Sequence, residues 1–394
     1  MIKNPYRPGS GLQPTHLAGR DHQLRRFRAT LASAPEIPAN LRLTGLRGVC
    51  KTVLMRRIDN VATESGWATA LLELELRHHS DANLTALLGS HLERLTSTMS
   101  TARRLREAVE GIVEAARRSV SLSFEGFEWS LGGGLATRTT AGAELLAATV
   151  TAANKAGRQG VVLLFDEAQI LSDDKTREGD HPLSMLRAAV SLLQRQGVPV
   201  ALVLCGLPAL TLNLLEARTY SERMFRGDEI GSPPTPEARQ AFLIPLEGTE
   251  RTASPDLVDR VLATVKGYPY FVQLWGAKLW DAATFAETDA LTVELLEEID
   301  EEIYRRLDLD FYDSRVDSLT PAEQDLLTAA ATCTYPPLLA RELGGKSPKS
   351  VGNVNVLIGR LAKADVICRQ GKGHYFYAAP GFDDYLRRRA AREW

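Results

Sequence analysis

The chain has 394 residues, 44% of them hydrophobic and 24% charged, and its 47 basic and 49 acidic residues leave a net charge of −2. That length predicts two or three domains with ample core, and the balanced charge excludes a wholesale nucleic-acid coat protein or a basic membrane-surface protein. No apolar run reaches the roughly 18 residues of a membrane helix, so no membrane span is expected.

The opening Met1-Ile2-Lys3-Asn4-Pro5-Tyr6 lacks the apolar stretch of a secretory signal. Cys50, Cys205, Cys333 and Cys368 lie far apart with no Cys-x-x-Cys pair, which suits reduced thiols and a cytoplasmic setting better than a disulfide scaffold or a zinc site. A helix is predicted over 21–31, then a buried strand Leu41-Arg42-Leu43-Thr44, a Gly-rich turn and a helix from Lys51. A second strand reads Ala70 to Leu76, followed by two helices between 82 and 118, the second with Leu105, Val109, Ile112, Val113 and Ala116 on one face. Alternation through Val120, Leu122, Phe124, Phe127, Trp129 and Leu131 predicts a hairpin, closed by Gly132-Gly133-Gly134. Helix 140–156, strand Val161–Phe165, helix 183–195 and strand Val200–Leu204 come next. Alternating helices and nearly unbroken apolar strands predict a parallel sheet covered on both faces. From Ser254 the pattern is helical.

Gly45-Leu46-Arg47-Gly48-Val49-Cys50-Lys51-Thr52 lies between a strand and a helix and matches G-x-x-x-x-G-K-[ST] except that Cys50 replaces the second glycine. Such a loop turns backbone N–H groups toward a nucleotide phosphate, with Lys51 on the β- and γ-phosphates and the Thr52 hydroxyl on Mg²⁺. Cys50 adds a side chain where the backbone normally meets phosphate, so weakened binding is expected; its thiol reads as a tolerated small residue rather than a redox switch. About 110 residues on, the strand Val161–Phe165 ends in Asp166-Glu167. At the carboxyl end of a parallel strand these carboxylates face the same crevice as the loop. Asp166 is then expected to hold Mg²⁺ through water and Glu167 to orient and polarise the attacking water.

Further segments resemble the AAA+ superfamily, in particular its STAND-like and origin-recognition-like ATPases of bacteria and archaea, over roughly residues 15–280. Leu17-Ala18-Gly19-Arg20-Asp21 is similar to the family's Gly-Arg-Glu segment, which implies that Gly19 and Arg20 contact adenine. Cys205-Gly206-Leu207-Pro208 occupies the sensor-1 position without the usual Asn or Thr. Gly267-Tyr268-Pro269-Tyr270 resembles the Gly-x-Pro motif of the helical lid, implying that Tyr268 and Pro269 pack beside the base, although Tyr270 stands where the sensor-2 arginine is usual. Glu222-Arg223-Met224-Phe225 resembles the segment that carries an arginine finger, with Arg223 the candidate and Arg226 the reserve; the alternative is a surface arginine paired with Glu222.

Thr320-Pro321-Ala322-Glu323 predicts a capped helix over 321–331, followed by helices near 337–343 and 347–364 and two short strands around Gly371-Lys372-Gly373. Three helices and a hairpin read as a winged helix. Residues 341–394 carry 11 basic and 5 acidic residues, a local charge of +6, which suits phosphate contacts with duplex DNA through residues 346–372. Asn353 and Asn355 can read adenine edges, and the alternative is an intramolecular or protein-binding role.

The expected architecture is α/β. It comprises an adenine-contacting segment (1–40), a P-loop parallel-sheet core (41–250, with a helical and hairpin insertion at 82–157), a helical lid (251–314) and a winged helix (315–394). The expected activity is ATP binding through Gly45–Val53 with Mg²⁺ that throws a conformational switch, reset by slow hydrolysis, with the winged helix contacting DNA, a protein partner or a second copy. A DNA-binding regulator or replication-type loader controlled by ATP, and a non-hydrolysing scaffold, are the alternatives.

Overall fold

The computed structural model describes residues 3–9, 11–99, 135–174, 176, 180–217, 221–364 and 366–392, which form two compact units. One joins Arg20–Gly45 to Lys51–Ile230; the other joins Met1–Gly19, Leu46–Cys50 and Gly231–Trp394.

The first unit runs α1 (Asp21–Leu31), β1 (Leu41–Thr44), α2 (Lys51–Glu64), β2 (Ala68–Glu73), α3 (Asp81–Met99), α4 (Leu135–Lys155), β3 (Val161–Asp166), α5 (Pro182–Arg195), β4 (Val200–Gly206), α6 (Ala209–Ala217), α7 (Ser221–Met224) and β5 (Arg226–Glu229). Its five strands are all parallel, in the order β2-β3-β4-β1-β5. Every residue of β3 and β4 is buried, as central strands covered on both faces require. Phe165, Leu163, Leu202 and Leu204 join Leu84, Leu88 and Leu92 of α3 and Leu186 and Val190 of α5 in one apolar core. The edge strands differ: β2 alternates buried and half-buried residues, and β5 is mostly exposed.

β2 stops at Glu73, three residues before the apolar alternation does. Glu73 is the last residue in register with β3, opposite Asp166. Beyond it the chain turns through residues 76–79 with Leu76 81% exposed, because no neighbouring strand continues to pair. The predicted helix over Leu105–Ala116 and the hairpin over 120–134 lie outside the described residues.

The second unit contains α8 (Thr235–Leu243), β6 (Thr252–Ala253), α9 (Pro255–Val265), α10 (Pro269–Phe285), β7 (Ala290–Leu291) and α11 (Val293–Leu307). Ser254 caps α9 by accepting the Leu257 N–H. Between α9 and α10 the chain turns through left-handed Lys266 and Gly267 (φ 48° and 66°), and Pro269 opens the next helix where a missing N–H costs nothing.

α11 continues through a π-helical turn, Asp308–Asp313, into α12 (Ser314–Asp317). A C-terminal helical domain follows, with α13 (Pro321–Ala330), β8 (Leu338–Leu339), α14 (Ala340–Lys346), α15 (Val351–Lys363), β9 (Ile367–Gly371), β10 (His374–Tyr377) and α16 (Phe382–Arg392). Thr320 and Glu323 form the capping box expected from their spacing. The strands form an antiparallel sheet in the order β8-β10-β9.

Part of the positive charge counted on this segment is paired with carboxylates. Arg387 pairs with Asp383 and Asp384, Arg388 with the buried Asp308 at 2.5 Å, and Arg389 with Asp313 and Asp317. Asp308, Asp313 and Asp317 precede the segment over which the charge sums to +6, so Arg388 and Arg389 do not contribute to a free basic surface.

Candidate nucleotide site at the carboxyl edge of the sheet

β1, β3 and β4 end at one edge. Thr44 is in register with Gly206, Phe165 with Leu204, and the Gly45 N–H donates to the Gly206 carbonyl at 3.2 Å. This edge is where parallel α/β sheets bind ligands. Lys51 and Thr52 open α2 beside it, and the side chains of Lys51 and Asp166 are both buried. The Cys205 thiol lies within the electrostatic reach of Asp166, Lys51 and Glu167. Burial first, and then the Asp166 charge, raise the Cys205 pKa well above the ordinary thiol range, so the thiol stays protonated. Lys51, Asp166 and Glu167 thus all lie within the electrostatic reach of Cys205.

Glu167 holds a left-handed backbone at φ 55° and ψ 34°, a conformation that costs a non-glycine residue about 1–3 kcal/mol and collects at functional sites. Its N–H donates to Asp166 Oδ1 at 2.9 Å. Gln169 Nε2 donates to Glu167 Oε2 at 2.5 Å, and the Leu207 N–H donates to Gln169 Oε1 at 3.0 Å. Asn213 donates to the carbonyls of Gln169 and Leu171, fixing the turn that carries Gln169. Gln169 carries no signal in the sequence, because a glutamine three residues beyond a strand end has no periodicity to mark it; only the adjacency of β3 and β4 brings it to the Leu207 N–H.

In the second unit the loop Leu46–Cys50 lies against Tyr268. Gly48 has φ 82°, and a β-carbon there would stand 2.8 Å from Tyr268 Cε1, so both backbone and space require glycine. Cys50 adopts φ 63°, the left-handed shape the motif's glycine would supply, so the loop keeps its shape with a strained residue. Tyr268 is buried, its hydroxyl has no hydrogen-bond partner among the described residues, and burial raises its pKa. Gly19 has φ 67°, and a β-carbon on it would meet Pro233 at 2.8 Å. Arg20 is buried just before α1, while Leu46 and Arg47 are half-buried and Val49 and Val53 are buried. Arg223 is exposed on α7, outside the Lys51–Asp166–Glu167–Cys205 cluster among the described residues. Arg226 lies on β5 and donates to Thr30 Oγ1 at 2.8 Å, which ties it to α1.

The residues fit a Mg–nucleotide. The Thr52 hydroxyl and the Asp166 carboxylate are hard oxygen donors, and no cluster of three His, Cys, Asp or Glu occurs among the described residues. Mg²⁺ is commonly held in this way, by one or two protein oxygens with phosphate and water completing its shell.

Residues 16–203 match the family model of the AAA ATPase domain, and residues 309–386 match a domain of unknown function, DUF8462. The chain is similar in fold to the Walker-type ATPase of Pyrococcus abyssi, at 17% identity and a TM-score of 0.57 over 93% of this chain and 95% of that one. It is also similar to the ORC2 protein of Aeropyrum pernix in its ADPNP–ADP complexes, at 13% identity and a TM-score of 0.55 over 97% and 98% of the two chains. Against the ADP form of ORC2 the values are 12% identity and a TM-score of 0.53 over 97% of each chain. No curated protein matches the sequence. The fold is therefore an AAA-like P-loop fold, a five-stranded parallel sheet surrounded by helices, with a C-terminal helical domain. No helix of the described residues is long and apolar enough to cross a membrane.

Proposed function

We propose that the chain binds ATP with Mg²⁺ through Gly45–Val53 and hydrolyses it slowly, as a nucleotide-dependent conformational switch. The observation that carries this reading is the convergence of buried Lys51 and Asp166 with Glu167 at the carboxyl edge of the sheet. Lys51 reaches the β- and γ-phosphates, Thr52 and Asp166 hold the cation, and Glu167 orients water and takes its proton. Water oxygen bonds to the γ-phosphorus as ADP leaves with the bridging oxygen. Mg²⁺, when bound, neutralises charge on the phosphates. Gly19, Arg20, Tyr268 and Pro269 serve the base, and Arg223 serves a neighbouring copy on self-association. The ORC2 neighbour, seen with ADP and ADPNP, supports adenine nucleotide as the ligand.

Slow turnover follows from three departures: strained Cys50 in the loop, no Asn or Thr at position 205, and Tyr270 in place of a sensor arginine. The C-terminal domain, read as a winged helix, is the output element. The outer face of α15 exposes Val351 and Val356 beside Asn353 and Asn355, and the arginines of α16 are internally paired. These two features favour a protein partner over duplex DNA. DNA binding whose affinity falls steeply with salt would reverse that preference.

Calorimetric titration with Mg–ATP tests the reading. Micromolar binding by the wild type that is lost in Lys51→Ala, with turnover below about 10 s⁻¹, is the expected result. Absence of binding by both proteins refutes it.

A further inference from the structure

We propose that Gln169 is a positioning residue for hydrolysis, holding the Glu167 carboxylate by one oxygen and tying it to the turn after β4. The proposal rests on the ATPase reading above and adds a residue to it.

Three observations carry it. The Leu207 N–H donates to Gln169 Oε1 at 3.0 Å, and a backbone N–H can only donate. The side-chain atom facing Leu207 must then be the amide oxygen, so the NH₂ group faces Glu167, and the usual ambiguity between amide O and N is resolved by the network itself. Gln169 Nε2 reaches Glu167 Oε2 at 2.5 Å, which leaves Oε1 of the same carboxylate for a water molecule. A base held by a third group is the arrangement that general-base catalysis requires.

The room for this contact is also specific. A β-carbon on Gly206 would stand 2.4 Å from Gln169 Oε1 and 3.0 Å from the Gln169 backbone nitrogen. Glycine at the end of β4 is what admits the amide between the two strand ends. Cys205, the preceding residue, lies within the electrostatic reach of Asp166. The end of β4 is therefore tied to Glu167 through Gln169 and bears on Asp166 through the charge near Cys205. At a position where no Asn or Thr is present to meet phosphate, the turn at 205–207 bears on the reaction through the two carboxylates.

The test compares full-length wild type, Gln169→Leu, Gln169→Glu, Gly206→Ala, Glu167→Gln and the Gln169→Leu/Glu167→Gln double variant. ATP turnover and calorimetric ATP affinity are measured on each. Gln169→Glu keeps the side-chain size and the acceptor for Leu207 and sets a second carboxylate against Glu167, so it disrupts the contact even if the leucine variant folds poorly. Expected are kcat losses of about 10- to 100-fold in the Gln169 and Gly206 variants, the usual range for an orienting partner, with ATP affinity changed less than about twofold. The double variant should be no slower than Glu167→Gln alone, because the two residues act through one group. A folded Gln169→Glu with wild-type kcat, or single losses that multiply in the double variant, overturns the proposal. A wild type that binds ATP without turning it over defeats the hydrolysis reading, and this proposal with it, before any Gln169 variant is measured.

Discussion

At the carboxyl edge of the sheet Glu167 is held at φ 55°, and in the loop before α2 Cys50 is held at φ 63°, whereas from residue 309 to 392 every positive φ among the described residues belongs to glycine. The other two non-glycine residues with positive φ among the described residues, Lys266 and Glu287, follow α9 and α10, where a left-handed residue is an ordinary way to end a helix. Arg387, Arg388 and Arg389 of the C-terminal domain are all paired with carboxylates. Residues that break local rules without a structural need mark the place where a sequence has been bent toward chemistry. By that measure the strained residues of the proposed nucleotide site, Cys50 and Glu167, stand apart from the C-terminal domain, whose backbone is conventionally satisfied.

The largest expected effect separates the two regions by activity. Glu167→Gln should lower ATP turnover about 10²- to 10⁴-fold while ATP binding persists, because it removes the base and leaves the phosphate contacts. Asn353→Ala on the exposed face of α15 should leave turnover within about twofold, as surface substitutions away from a site do. A comparable loss from both would break the distinction.

A second pair of variants tests the claim that the C-terminal charges are structural. Asp308 is 1% exposed, and Arg388 reaches it from α16 while lying over the Tyr304 ring. Arg388→Leu strands a buried carboxylate and should destabilise the protein by about 3 kcal/mol in a denaturant titration. Arg387→Ala loses only pairs within its own helix, and its expected change is below about 0.5 kcal/mol. Equal effects would mean that Asp308 is not held as an ion pair.

Much of the sheet is legible from residues alone. Val161–Phe165 and Val200–Leu204 are nearly unbroken apolar runs because both faces of those strands are covered, and Asp166-Glu167 shows itself as the point where such a run ends. Gly267 and Pro269 are legible as a helix–helix corner, since each residue type has one backbone use there. The strand Arg226–Glu229 is not legible. It exists through backbone pairing with β1, and its mostly exposed side chains leave no apolar signature. Gln169 and Arg388 are hidden for another reason: their partners Leu207 and Asp308 lie 38 and 80 positions away, and only strand order or helix packing brings them near. The same separation explains why a charge summed over 341–394 overstated the basic surface.

The smallest effect bears on Cys50, the one departure from the phosphate-loop pattern. Its backbone already has the left-handed shape, which costs a side-chain-bearing residue about 1–2 kcal/mol and glycine almost nothing. Cys50→Gly removes that strain but returns freedom to the unfolded chain, an offset of about 0.4–1 kcal/mol. The expected gain in stability is therefore about 1 kcal/mol or less. ATP affinity should rise by up to about tenfold, equivalent to 1.4 kcal/mol, as the β-carbon and sulfur leave the phosphate approach. Cys50→Ala divides the two causes, because it keeps the strained β-carbon and removes only the sulfur. If alanine and glycine tighten ATP binding equally, the sulfur is the obstacle and the backbone strain is incidental. If only glycine does, the strain itself weakens the site. Unchanged affinity in both variants would make Cys50 a neutral occupant, and Glu167 would then be the only strained residue of the pair with a chemical consequence.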